Sequence, residues 1–159
     1  MRGVYTANYR ISAIAAAKTL VYVTVPSGQV IEIHHTEVSN ESNESNEQCV
    51  IAWQRITTLG TPTATTITPA KHEKGDQAAA STWKANVTAF EPTYGAIAQG
   101  AAIVDVIGLK GFPSLGSYIY APTPEERVYF ASADNWGLRL INTPTAFDIS
   151  IEVTFREIG

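Results

Sequence analysis

The sequence predicts an all-β protein: a single antiparallel β-sandwich over residues 1–159, jelly-roll-like, with about eight to ten short strands. Three observations carry that expectation. Val and Ile number 27 against 6 Leu, and 18 Thr bring the β-branched total to 45. Two heavy atoms on Cβ suit a pleated surface and crowd a helix. Several segments alternate apolar and polar residues with period two, as strands with one buried face do. All eight prolines fall between those segments, where no ladder N–H is needed. A compact up-and-down barrel is the competing topology.

Tyr5, Ala7, Tyr9 and Ile11 share one face of the first strand, with Thr6, Asn8, Arg10 and Ser12 on the other. Residues 13–18 offer at most one turn of helix. Val21, Val23 and Val25 form the next strand, closed by the turn Pro26-Ser27-Gly28. Val30 to Val38 follows. Its inward parity changes from Ile33 to Val38, so either a bulge falls near His34 and His35 or His35 points inward with a hydrogen bond. Cys49 to Ile56 reads as buried on both faces. The Thr/Pro/Ala-rich stretch Gly60 to Ala80 reads as a long loop of the same domain. Trp83, Ala85, Val87 and Ala89 alternate with polar neighbours, which places Trp83, like Trp53, in the core. Ala102 to Ile107 is a further buried strand, and Tyr118–Tyr120, Arg127–Phe130 and Leu138–Ile141 are shorter ones. The clearest strand is the last, with Phe147, Ile149, Ile151, Val153 and Phe155 inward over five successive odd positions.

Composition narrows the function classes. A net charge of −4 argues against a nucleic-acid backbone as partner. The best apolar window, Ile11 to Val25, is too short and too polar to cross a bilayer, and the first residues lack a signal core. Neither nucleic acid nor membrane is expected, and synthesis is expected in the cytoplasm. Cys49 is the only cysteine, which excludes an intrachain disulfide and a Cys-rich metal site.

The chemical motifs mostly fail on geometry. Gly28 is followed by His34 and Glu41, loosely as in the cupins. Two strand histidines share a metal only at i and i+2, whereas His34 and His35 are adjacent and face opposite ways. His72 lies elsewhere. Glu125 and Glu126 form a paired-carboxylate candidate, but neighbouring strand positions diverge, and ion pairing with Arg127 or Arg139 is the expectation. Lys74-Gly75-Asp76 reads as a turn. Three tandem Ser-Asn-Glu copies span Ser39–Glu47. Their oxygen ligands suit calcium, but the tract lacks the turn-making Gly and alternate ligand spacing of a calcium loop. A solvated loop is expected. No catalytic residue, cofactor or bound metal is predicted.

The C-terminal third carries a likeness. Gly111-Phe112, Tyr118-Ile119-Tyr120-Ala121-Pro122, Pro124-Glu125-Glu126-Arg127, Gly137-Leu138-Arg139-Leu140 and the ending Thr154-Phe155-Arg156-Glu157-Ile158-Gly159 resemble a family of small tailed-phage virion proteins. The start, Tyr5-Thr6-Ala7-Asn8-Tyr9, is similar too. The resemblance implies a capsid decoration (cement) protein on the virion surface, bound to the major capsid protein and assembled as a homotrimer. It brings no active-site residues with it. Candidate interface residues are the aromatics near loops: Tyr94, Phe112, Tyr118, Tyr120, Tyr129 and Trp136. The alternative is a carbohydrate-binding module, for which Trp136 is the fair candidate for an exposed stacking ring.

Overall fold

The computed structural model describes residues 3–42, 47–95, 106–142 and 145–159. Among the described residues thirteen strands follow in order: β1 (Val4–Ile14), β2 (Lys18–Thr24), β3 (Val30–Asn40), β4 (Gln48–Thr58), β5 (Thr63–Ile67), β6 (Ala70–Lys71), β7 (Thr82–Ala89), β8 (Thr93–Tyr94), β9 (Val106–Pro113), β10 (Ser117–Tyr120), β11 (Tyr129–Phe130), β12 (Asn135–Leu140) and β13 (Phe147–Ile158). A 3-10 turn covers Pro124–Glu126, and there is no α-helix among the described residues.

The strands form two sheets with every pairing antiparallel. The first runs β10-β3-β13-β1-β6, with β11 beside the early part of β3. The second runs β5-β7-β2-β12-β4, with β9 along the first half of β4 and β8 along its end. Setting aside the short β11 and the strands inserted between β4 and β9, the sheets reduce to β1-β13-β3-β10 and β2-β12-β4-β9. The chain changes sheet between successive principal strands, except from β4 to β9. This is a jelly-roll sandwich.

Alternation gives β13 its buried face, and pairing on both sides makes it central. Phe147, Ile149, Ile151, Val153 and Phe155 are all buried, and the strand is paired on both sides, to β1 and to β3. The core between the sheets is strongly aromatic. Phe155 stacks on Trp83 at 4.5 Å between centroids and on Tyr5 at 5.5 Å. Trp53 meets Trp83 edge-on at 6.4 Å, and Phe130 lies nearly parallel to Trp136 at 4.6 Å. Each such pair contributes about 0.5–1.5 kcal/mol beyond the burial of its area. Trp53 and Trp83 are thus core residues, as the alternation requires.

The register of β3 resolves the parity change. Thr154 faces His35 while Phe155 faces Ile33, so His34 is an extra residue in a bulge. Burial of Cys49–Ile56 on both faces holds at its centre, where Ala52, Trp53 and Gln54 are all buried.

Other expectations are corrected. Residues 13–18 make no helical turn, because β1 continues to Ile14 through an irregularity at Ala13, whose φ is 54°. Its amide is held by Asp148 Oδ1 at 2.8 Å. The stretch Gly60–Ala80 contains β5 and β6, which pair with β7 and β1. In Arg127–Phe130 only the last two residues form a strand. Pro113 ends β9 rather than lying between strands, as an edge position allows. The expected strand Ala102–Ile107 is described only from residue 106, where β9 starts and runs on to Pro113. Residues 43–46 of the Ser-Asn-Glu tract also lie outside the described residues. At its ends Ser42 N donates to Asn40 Oδ1 at 2.7 Å, and Glu47 accepts from Thr145.

Candidate interaction site

The six aromatics separate into three classes. Phe112, Tyr118 and Trp136 are buried, which corrects the expectation that Trp136 is exposed. The physical reason is its inward position on β12, where it covers Phe130. Phe112 packs against Tyr118 at 6.1 Å, and the Tyr118 hydroxyl donates to Gly108 O at 2.9 Å. Tyr94 and Tyr120 are half-buried. Tyr94 lies across the outer face of the second sheet, its hydroxyl 2.5 Å from Thr19 Oγ1 and the Arg139 guanidinium 5.0 Å from its ring centroid. Burial pushes the Tyr94 and Tyr118 phenols well above their ordinary range. Only Tyr129 is exposed.

Four other large apolar side chains stand out further or nearly as far: Phe90 is 74% exposed, Leu115 57%, Leu109 51% and Ile119 48%. Leu109 is held out by a second bulge. Lys110 faces Ile51 and Ile107 faces Trp53, so Gly108 and Leu109 together oppose one residue of β4. Gly108 has φ +64°, and a Cβ there would meet Tyr118 Oη at 2.6 Å. Only glycine fits both constraints. A bulge re-aims the side chain beside it, here Leu109. On β10 the alternation that buries Tyr118 turns Ile119 outward. Leu109, Lys110, Ile119, Tyr120, Pro122 and Glu126 line a groove of about 400 Å³ between the two strands.

Phe90 lies on the far side of the second sheet, just after β7, with φ 59°. The left-handed region costs a residue with a Cβ about 1–2 kcal/mol. What holds it is the next residue: the Glu91 carboxylate accepts from Thr19 N at 3.0 Å and from Thr19 Oγ1 at 2.5 Å.

The titratable groups are dispersed. Glu32, buried on the first sheet, lies 3.2 Å from Arg127 Nη1, 3.3 Å from His34 Nε2 and 3.9 Å from Arg156 Nη1. Burial opposes its charge, but bonds from His34 and Arg127 and their charges outweigh it, so the carboxyl lies below its ordinary range. Arg127 therefore pairs with Glu32 and not with Glu125 or Glu126, while Arg139 lies over Tyr94. His34 lies at Glu32, His35 faces Thr154 across the sheet, and His72 Nε2 lies 2.7 Å from Thr6 Oγ1, so the three histidines have different partners. No group of three or more His, Cys, Asp or Glu is placed to hold a metal ion among the described residues. Cys49 is buried, and burial pushes its thiol up. Lys74-Gly75-Asp76 does form a turn, with Asp76 N bonded to Glu73 O at 3.1 Å.

Sequence reasoning missed Phe90, Leu109 and Ile119. The signal for Ile119 was its parity opposite Tyr118, and for Phe90 its position directly before Glu91-Pro92 at a strand end. Set against models of protein families, curated proteins and solved structures, the chain matches none of them.

Proposed function

We propose that this chain is a structural, non-catalytic virion protein of a tailed phage, a capsid decoration (cement) protein. It binds the major capsid protein at the capsid surface, stabilises the head shell and assembles as a homotrimer. The reading starts from the sequence resemblance. The observation that carries it further is Leu109, turned outward by a glycine-dependent bulge beside the exposed Ile119. Apolar side chains held out on paired strands are a feature of interaction surfaces, since burying them on a partner costs little ordering.

The test is direct. Mixed with undecorated capsids, the protein co-sediments with them, and light scattering gives three chain masses in free solution. A monomer at micromolar concentration contradicts the trimer. Binding on a glycan array without co-sedimentation replaces this reading with the carbohydrate-binding one.

A further inference from the structure

We infer that the open edge of β10 takes an extended strand of the capsid protein, which continues the first sheet and lies along the groove between β10 and β9. This rests on the capsid binding proposed above and names the contact that makes it. The hydrogen-bond parity of the first sheet shows which main-chain groups are free for such a strand. Glu41 N donates to Asp148 O at 2.8 Å, so Ser39 and Glu37, at steps of two along β3, turn their main-chain groups to β13. Val38 and Thr36 then turn theirs to β10, where they pair with Tyr118 and Tyr120. Ile119 lies between those two tyrosines, so its N–H and C=O point away from β3. Among the described residues no strand pairs with β10 on that side. The strand, Ser-Tyr-Ile-Tyr, carries no charge, no proline and no bulge against β3, the devices that blunt an open edge.

The chemistry of the groove identifies its occupant as extended polypeptide. One side offers the open main-chain groups of β10, which another extended backbone matches in spacing. The other side is β9, from which the bulge projects Leu109, and Ile119 and Pro122 complete an apolar lining. A strand laid there gains main-chain bonds and covers both exposed apolar side chains at once. The charged groups of the groove, Lys110 and Glu126, belong to β9 and the 3-10 turn, not to the β10 edge. A second copy of this chain is the poorer source of that strand. The groove-side edge paired with itself is an isologous contact, which stops at two chains rather than three. The edges at β1 and β5 expose Asn8, Arg10, Thr63 and Thr65, polar side chains that do not match Leu109 and Ile119. A capsid-protein strand with apolar residues at alternate positions meets both requirements.

The experiment reads hydrogen exchange of the Ile119 amide in the free protein and in protein bound to undecorated capsids, beside co-sedimentation of two variants. In the free protein Ile119 exchanges readily, while Tyr118 and Tyr120, bonded to β3, are protected. On capsids the Ile119 amide is expected to slow about tenfold or more. Ile119→Ala keeps the N–H and removes the apolar side chain, whereas Ile119→Pro also removes the N–H. Proline is tolerated on an edge strand where that N–H faces out, so both variants keep the melting temperature. Capsid affinity is expected to fall from wild type to Ile119→Ala and about tenfold further in Ile119→Pro. The exchange measurement uses the unaltered chain and decides the matter even where Ile119→Pro is unstable. Co-sedimentation with an Ile119 amide that stays unprotected, or equal binding by the two variants, overturns the strand contact and leaves the capsid reading standing. Protection of Ile119 in the free oligomer assigns the strand to a second copy and also overturns it. A wild-type chain that does not co-sediment overturns both readings.

Discussion

Glu37 on β3 and Glu152 on β13 stand directly opposite one another across the first sheet. Their side chains share the outer face, with Asn8 of β1 opposite Glu152 on its other side. Opposed like charges destabilise a strand pair, by an amount that salt reduces. Glu152→Gln is expected to raise unfolding stability by about 0.5 kcal/mol at low ionic strength. Urea unfolding at low and high salt checks this, and a gain that does not shrink with salt contradicts the electrostatic cause.

The central strand supplies a prediction about the core. Ile151 is buried between its partners Val38 and Tyr9 in the first sheet. Ile151→Ala removes packed volume that the sandwich cannot refill and should cost about 2–5 kcal/mol. Thermal and urea unfolding measure it; a loss well under 1 kcal/mol would show that the strand packs loosely.

The bulge of β9 depends on one glycine. At Gly108 a Cβ would meet both an unfavourable φ and the hydroxyl of a buried tyrosine. Gly108→Ala is expected to cost about 1–2 kcal/mol and to disturb the hydrogen bond between Tyr118 and Gly108. A variant as stable as the wild type would mean that the bulge relaxes freely.

Glu32 gives a pH dependence with a definite sign. Its folded carboxyl titrates below the ordinary value, so its ionised form adds stability that is present above the unfolded value, about 4.3. The contribution is lost as pH falls through the folded value. Glu32→Gln should therefore be less stable than the wild type near neutrality, and the gap should close in acid. Melting curves of both proteins from neutral to strongly acidic pH check it; a gap that widens in acid reverses the sign and refutes the assignment.

Much of this architecture was legible before any pairing was known. Alternation in β1 and β13 is local, and a period of two leaves no choice about which residues share a face. The break in parity near His34 and His35 was likewise visible, but only the register with β13 decided for a bulge over an inward His35. The exposure of aromatics was not visible. Trp136 follows the polar pair Asp134-Asn135 and so reads as a candidate for exposure, yet β12 is flanked by β2 and β4 and presents its ring to Phe130 from the other sheet. Glu157 continues the inward parity of β13, but its buried carboxylate is accommodated only because the amides of Ala80 and Ser81, distant in sequence, donate to it.

The sequence by itself determined the strand class, the buried face of the last strand and the inward places of Trp53 and Trp83, because those follow from side-chain shape and a two-residue period. The parity of Ile119 opposite Tyr118 was local, but the outward placement of Leu109 and Phe90 was decided by tertiary structure. Leu109 is exposed because Gly108 must clear Tyr118, and Phe90 because Glu91 is tied to Thr19. Both constraints join residues whose separation along the chain hides them from any local pattern. They arise only when the sheets pack and hydrogen-bonding groups far apart in sequence are brought within reach.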